Sequence, residues 1–158
     1  MIEFDQNAKR WLILTVGLPY SGKTTWALST GFPIVCRDAI HMALHGERYL
    51  APAEDMVSVL EFSMVQSLFL AGHKFVIVDS INLKEGYRER WNEPWFIWKP
   101  CVKVFAADER VCKERALANV DLDIIPIIEK NAIFLTDEAK LEKAHWLIYE
   151  IGKFPKGG

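Results

Sequence analysis

Trp11-Leu12-Ile13-Leu14-Thr15-Val16-Gly17-Leu18-Pro19-Tyr20-Ser21-Gly22-Lys23-Thr24 is the stretch from which the rest of the chain can be read. Trp11 to Val16 is a near-continuous apolar run, as expected of a strand buried on both faces. The run stops at Gly17, and Gly17 to Thr24 fits the pattern G-x-x-x-x-G-K-[ST]. Glycines in such a loop allow backbone torsions that turn successive N–H groups inward around an anion. A helix expected from about Gly22 to Ser29 presents its positive end to the same anion. In this arrangement Lys23 reaches the β- and γ-phosphates of a nucleotide, and the Thr24 hydroxyl holds Mg²⁺. Gly17, Tyr20, Ser21, Gly22 and Thr25 complete the candidate phosphate cradle. The pattern alone arises by chance, but a strand before it and a helix after it are the context it requires.

Outward from the loop, apolar runs alternate with helical patterns. Strands are expected at Pro33–Cys36, Phe75–Val78 and Val102–Phe105, with His145–Ile151 as a last one. Helices are expected from Asp38 to His45, with Asp38 as a possible cap, and from Pro52 to Ala71. Further helices are expected at Lys84–Trp91, Glu109–Leu117 and Pro126–Phe134. This alternation predicts an α/β three-layer sandwich, a parallel sheet of about five strands with helices on both faces. Ligands of such sheets sit at the carboxyl ends of the strands, here just before Gly17, Arg37, Asp79 and Ala106.

Composition narrows the class. At 158 residues the chain is read as one domain spanning 1–158, with a frayed tail at 153–158. It is 51% hydrophobic and 25% charged, which suits a core-forming globular chain and excludes disorder. A net charge of -2 argues against nucleic-acid binding through bulk positive charge, although a local basic pocket stays open. The 3 cysteines fit no zinc spacing and read as reduced thiols. No apolar run reaches roughly 18 residues and Met1–Asp5 has no signal-peptide pattern, so a cytoplasmic location without membrane contact is expected.

Two carboxylates carry the chemistry. Asp79 directly follows a buried run, where it is placed to hold Mg²⁺ or its water; capping the next turn is the plainer reading. Asp38 follows the second strand, where a carboxylate would orient an acceptor hydroxyl and take its proton. Arg37 is a candidate clamp on an acceptor phosphate, or a surface arginine paired to a glutamate. Trp91, Trp95 and Trp98 suit base stacking less well than plugging the sheet edge, because little charge surrounds them. His73, His145 and Cys36 read as structural. Glu47, Arg48 and Tyr49 fit equally a position over the acceptor cleft and an ordinary exposed turn.

The loop Gly17 to Ala27, then Arg37-Asp38, then Val76-Ile77-Val78-Asp79-Ser80-Ile81-Asn82-Leu83 with Arg88 and Trp91, resembles the 5′-kinase domain of polynucleotide kinases. The wider group of small P-loop kinases, zeta-toxin-like proteins included, shares the loop and the D-x-x-N element. The resemblance runs from about Trp11 to Lys130. It implies a P-loop NTPase fold, ATP and Mg²⁺ at Lys23, Thr24 and Asp79, Asp38 as general base, and Asn82 near the substrate. It also implies a lid at about 113–125 in which Arg115 is the catalytic cation. The chain departs from the family pattern at several points. His41 stands where an arginine grips the substrate phosphate, and Asn119 where a later lid arginine is usual. Asp121 and Asp123 replace a basic stretch, and Tyr20 replaces a small loop residue.

The expected activity is transfer of the γ-phosphoryl of ATP to a nucleic-acid hydroxyl, foremost a polynucleotide 5′-hydroxyl of DNA or RNA. One alternative acceptor is a nucleotide or a hydroxymethylated base within DNA, which suits a chain lacking the substrate arginine. The other class is a non-catalytic ATP-binding module.

Overall fold

Leu12, Ile13, Leu14, Thr15 and Val16 are without solvent exposure, a burial that only a strand paired on both edges and covered on both faces attains. The structure is a computed structural model that describes residues 10–105 and 107–134 and the backbone of 147–148. The expectations for Met1–Asp5, Ala106, His145 and the tail therefore lie outside the described residues, as does most of the last strand.

The strands are β1 (Trp11–Val16), β2 (Ile34–Cys36), β3 (Phe75–Asp79) and β4 (Lys99–Val104), joined by a two-residue β5 (Leu147–Ile148). All pairings are parallel in the order β2-β3-β1-β4-β5. The body of the sheet is thus four strands rather than about five, with β5 a short addition at its edge. The helices are α1 (Lys23–Thr30), α2 (Arg37–His45), α3 (Glu54–Leu70), α4 (Glu85–Glu89), α5 (Glu109–Ala118) and α6 (Ile125–Ala132).

The two faces of the sheet are legible in the alternation of side chains along β1. Leu12, Leu14 and Val16 face one core with Val57, Val65 and Phe69 of α3, Cys112 and Ala116 of α5 and Ile128 of α6. Ile13 faces the other with Ile77, Cys101 and Ala27 of α1. This is the three-layer α/β arrangement. No helix among the described residues is long and apolar enough to cross a membrane.

Several element ends differ from expectation for local reasons. β4 begins at Lys99 rather than Val102, because Lys99 N–H donates to the Arg10 carbonyl at 2.9 Å and extends the ladder. Pro52 lies in a 3₁₀ turn, Ala51–Ala53, that precedes α3. α2 begins at Arg37 with Cys36 in the cap position, so Asp38 is not the cap but a first-turn residue whose carboxylate is left to the site. Trp91 and Trp98 are buried, stacked among Phe62, Phe69 and Phe96, as the packing reading expects, whereas Trp95 is exposed.

Phe69 is fully buried with its ring centroid 5.5 Å from that of Trp98. Truncating it removes that stack and leaves a cavity between α3 and the sheet. Phe69→Ala is expected to lower unfolding free energy by about 3–5 kcal/mol in urea titration with the m-value unchanged.

Candidate active site

Parallel pairing of β1 with β3 sets Leu14 opposite Val78, so Thr15 and Asp79 emerge side by side at the carboxyl end of the sheet. Thr15 Oγ1 lies 3.1 Å from Asp79 Oδ1 and accepts the Ser80 N–H at 3.2 Å. The Thr24 hydroxyl donates to Asp79 Oδ2 at 2.8 Å. The two residues expected to hold a metal are therefore in contact, and Asp79 is almost wholly buried. An alcohol and a carboxylate oxygen are hard donors suited to Mg²⁺, an ion that takes few protein ligands and keeps its remaining positions for water and phosphate.

The loop is built for close backbone approach. A Cβ on Gly17 would stand 2.8 Å from both the Phe105 carbonyl oxygen and Ser21 Oγ, so only glycine fits. Gly22 has φ 101 and Tyr20 has φ 64, turning the chain toward α1, whose N-terminus has no side-chain cap. Ser21 Oγ is buried without a hydrogen-bond partner. The Lys23 ammonium is 8% exposed and donates to the Leu18 carbonyl at 2.6 Å. Burial lowers its pKa to about 8, with Asp79 pulling the other way. An uncapped helix start, an orphaned hydroxyl and a desolvated cation around one cradle fit a polyphosphate.

The cradle opens into a cleft of about 650 Å³ that Asp38, Arg48, Asp79 and Lys130 also line. β2 pairs with β3 so that Cys36 lies opposite Asp79, and the first turn of α2 then carries Asp38 into the cleft. The Asp38 carboxylate makes no hydrogen bond among the described residues and keeps an open face to solvent. The enclosing walls push its pKa above the ordinary carboxylate value, and Arg48, Lys23 and His41 partly offset this.

Other expected residues reach the cleft already engaged. Arg37, a candidate acceptor clamp, donates to Glu54 Oε2 at 2.8 Å and to Ser58 Oγ at 3.0 Å, and it pairs with Glu61. That corrects its reading to the glutamate-paired alternative. Arg90 also pairs with the fully buried Glu61. His41 Nε2 lies 2.6 Å from Glu54 Oε1, while its buried Nδ1 has no partner. Burial of Glu54 works against ionisation, but Arg37 and His41 outweigh it and hold its carboxyl below the usual range. Asn82 lines the cleft, and its amide donates to the Thr15 carbonyl at 2.9 Å from a backbone at φ 49, which locks the turn. Arg115, the expected lid cation, is engaged at the loop. Its guanidinium donates to the Tyr20 carbonyl at 2.9 Å and borders a shallow groove with Gly22, Thr25, Trp26 and Asn119. Lys113 ties α5 to α6 through Glu129 at 2.8 Å.

The chain-specific residues that sequence reasoning left unassigned are Arg48, Glu54, Glu61 and Lys130. Arg48, Glu54 and Glu61 are paired across the fold and Lys130 reaches the cleft wall, all between segments whose proximity no local pattern reveals. The one available signal was the departure at Tyr20 and Asp121, which the structure joins by a hydrogen bond of 2.8 Å.

The depressed Lys23 pKa has a consequence for stability. Below about pH 8 both folded and unfolded states hold the proton, and the folded state bears the full cost of a buried charge. From there to 10.5 the unfolded state keeps a proton that the folded state has lost, so wild-type stability rises with pH. The shift corresponds to roughly 3 kcal/mol, and loss of the Leu18 bond returns about 1. Lys23→Met is therefore expected to be more stable than wild type by roughly 2 kcal/mol at neutral pH. In denaturant titrations across the pH range the advantage should close as the pH rises through that window.

No protein-family model matches the chain. Among solved structures, a chain of the Pnkp1/Rnl/Hen1 RNA repair complex aligns with a TM-score of 0.72 at 18% identity, covering 98% of this chain and 54% of its own length. A chain of the Pnkp1/Rnl/Hen1 complex aligns at 0.62 and 22% identity, covering 69% of this chain and 40% of its own. Shikimate kinase from Acinetobacter baumannii, in complex with shikimate, aligns at 0.53 and 16% identity, covering 90% of this chain and 84% of its own. This chain thus spans about half or less of the two repair-complex chains it matches. The chain shares its fold with these structures, a P-loop kinase fold in which the parallel sheet carries the loop between its first strand and helix.

Proposed function

We propose that this chain is an ATP- and Mg²⁺-dependent phosphotransferase that moves the γ-phosphoryl to a nucleic-acid hydroxyl, foremost a polynucleotide 5′-hydroxyl. The observation that carries the reading is Asp38, a carboxylate without hydrogen bonds that opens into the same cleft as Lys23 and the Thr24–Asp79 pair. A module that only bound nucleotide would have no use for it. The resemblance to polynucleotide kinases and the likeness to chains of an RNA repair complex support a nucleic-acid acceptor.

In this reading the loop N–H groups and Lys23 bind the triphosphate, and Thr24 with Asp79 holds the ion. Bound Mg²⁺ offsets charge on the β- and γ-phosphates. Asp38 orients the acceptor hydroxyl and takes its proton as the new O–P bond forms and the bond to the β-bridging oxygen breaks. A second acceptor class is favoured by one feature. Arg37 and His41 are both committed to Glu54, which suits an acceptor without a neighbouring phosphate, such as a nucleoside-like group or a hydroxymethylated base in DNA.

Asp38→Asn keeps the shape of the side chain and removes the base. Transfer from γ-labelled ATP to 5′-hydroxyl oligonucleotides, nucleosides or modified-base DNA should fall by about 10²–10⁴, with ATP affinity and melting temperature nearly unchanged. Because the cleft raises the Asp38 pKa, wild-type transfer should decline on the acid side at a pH above the ordinary carboxylate range. The asparagine variant should lack that limb. Full transfer by a folded Asp38→Asn protein would reduce Asp38 to a bystander and remove the kinase reading's main chemical support.

A further inference from the structure

Tyr20 and Asp121 are the two residues of the loop and lid regions least expected in a small P-loop kinase, and they meet. The Tyr20 hydroxyl donates to Asp121 Oδ2 at 2.8 Å. The same oxygen accepts from Arg48 Nη2 at 2.9 Å, while Arg48 Nη1 lies 3.4 Å from Oδ1. Three segments distant in sequence converge on one carboxylate: the phosphate loop, the turn after α2, and the turn after α5. Both backbones that deliver the contact are strained. Tyr20 has φ 64, and Val120, just before Asp121, has φ 55, a conformation costly for a β-branched side chain. Arg115 grips Tyr20 a second time through its carbonyl.

We propose that Arg48 is a catalytic cation of this site, which Asp121 and Tyr20 position to stabilise the phosphoryl group in transit. The inference rests on the phosphotransferase reading above. Arg48 lines the cleft with Asp38, whereas Arg115 borders the adjoining shallow groove. The Arg48 charge is thus presented to the cleft from the turn after α2, braced by the turn after α5. A guanidinium has five N–H donors. Two of its nitrogens face Asp121, which leaves N–H groups for the cleft. Arg48 also exerts the largest opposing pull on the raised Asp38, the mark of a cation close to the base. The planar pairing with Asp121 fixes its orientation before substrate arrives, the condition under which a cation is most effective. Arg48, in turn, is the leading influence that holds the Asp121 carboxyl below its usual range. Tyr20 and Asp121 touch no reacting atom in this account and are positioning residues.

The test uses MgADP with and without aluminium fluoride, which mimics the phosphoryl group in flight, and reads affinity by calorimetry on the full chain. Wild type should bind MgADP and gain at least about 10²-fold in affinity when fluoride completes the mimic. Arg48→Ala should bind MgADP as wild type does and lose most of that gain, and Arg48→Lys should recover part of it. Tyr20→Phe and Asp121→Asn keep the cation but loosen it, so each should lose about tenfold or less. If Arg48→Ala keeps the full gain, or loses no more than Asp121→Asn, Arg48 is only a latch and the proposal is overturned. A wild type that binds MgADP but gains nothing from fluoride also overturns it. Failure of wild type to bind MgADP at all would instead sink the nucleotide reading on which it rests.

Discussion

The Asp79 carboxylate, held between Thr15 and Thr24, is the contact on which the rest of the site depends. It exists because β3 runs parallel beside β1 in a register that sets Val78 against Leu14. Through Thr24 it ties the end of β3 to the first turn of α1. Through the pairing of Cys36 with Asp79 it sets where β2 ends and α2 begins. The loop, the Thr24–Asp79 pair and the start of α2 are therefore not three placements but one.

Two ionisable groups of the cleft, Lys23 and Asp38, are displaced toward neutrality. Burial lowers Lys23 to about 8 and raises Asp38, although each lies within reach of opposite charge. Desolvation wins in both cases, which is the expected order when water is replaced by protein on most sides of a group. A bound polyphosphate would reverse the balance for Lys23 by supplying the anion that burial has denied it. In the proposed role of Asp38 the same desolvation would make a better base, since its pKa moves toward the working pH. The acceptor side is built differently. Glu54 and Glu61 neutralise Arg37 and Arg90, and Glu54 also engages His41, so the guanidinium charge that the sequence places there is already committed.

The parallel sheet, the loop and the position of Asp79 were readable from sequence because each follows from local order: an apolar run, a glycine pattern, a carboxylate at a strand end. The cap of α2 was misread by two residues for an equally local reason. Asp is a good cap, but here the helix begins at Arg37 and leaves the carboxylate in the first turn. What stayed hidden was tertiary. Nothing in the neighbourhood of Arg37 reveals Glu54, and nothing near Arg115 reveals that the Tyr20 carbonyl would hold it. Asn82 shows the same limit in reverse. Its spacing from Asp79 is legible, but its use as a turn lock under Thr15 depends on the strand next door.

The central claim is that the cradle around Lys23 exists to receive the triphosphate of a nucleotide. Titration calorimetry with MgATP at about pH 9, in two buffers of different ionisation enthalpy, tests it most directly, because Lys23 is then largely neutral in the free protein. The account predicts binding with proton uptake approaching one per nucleotide, and loss of that uptake in Lys23→Met. Absence of binding, or binding whose heat is the same in both buffers, would contradict it.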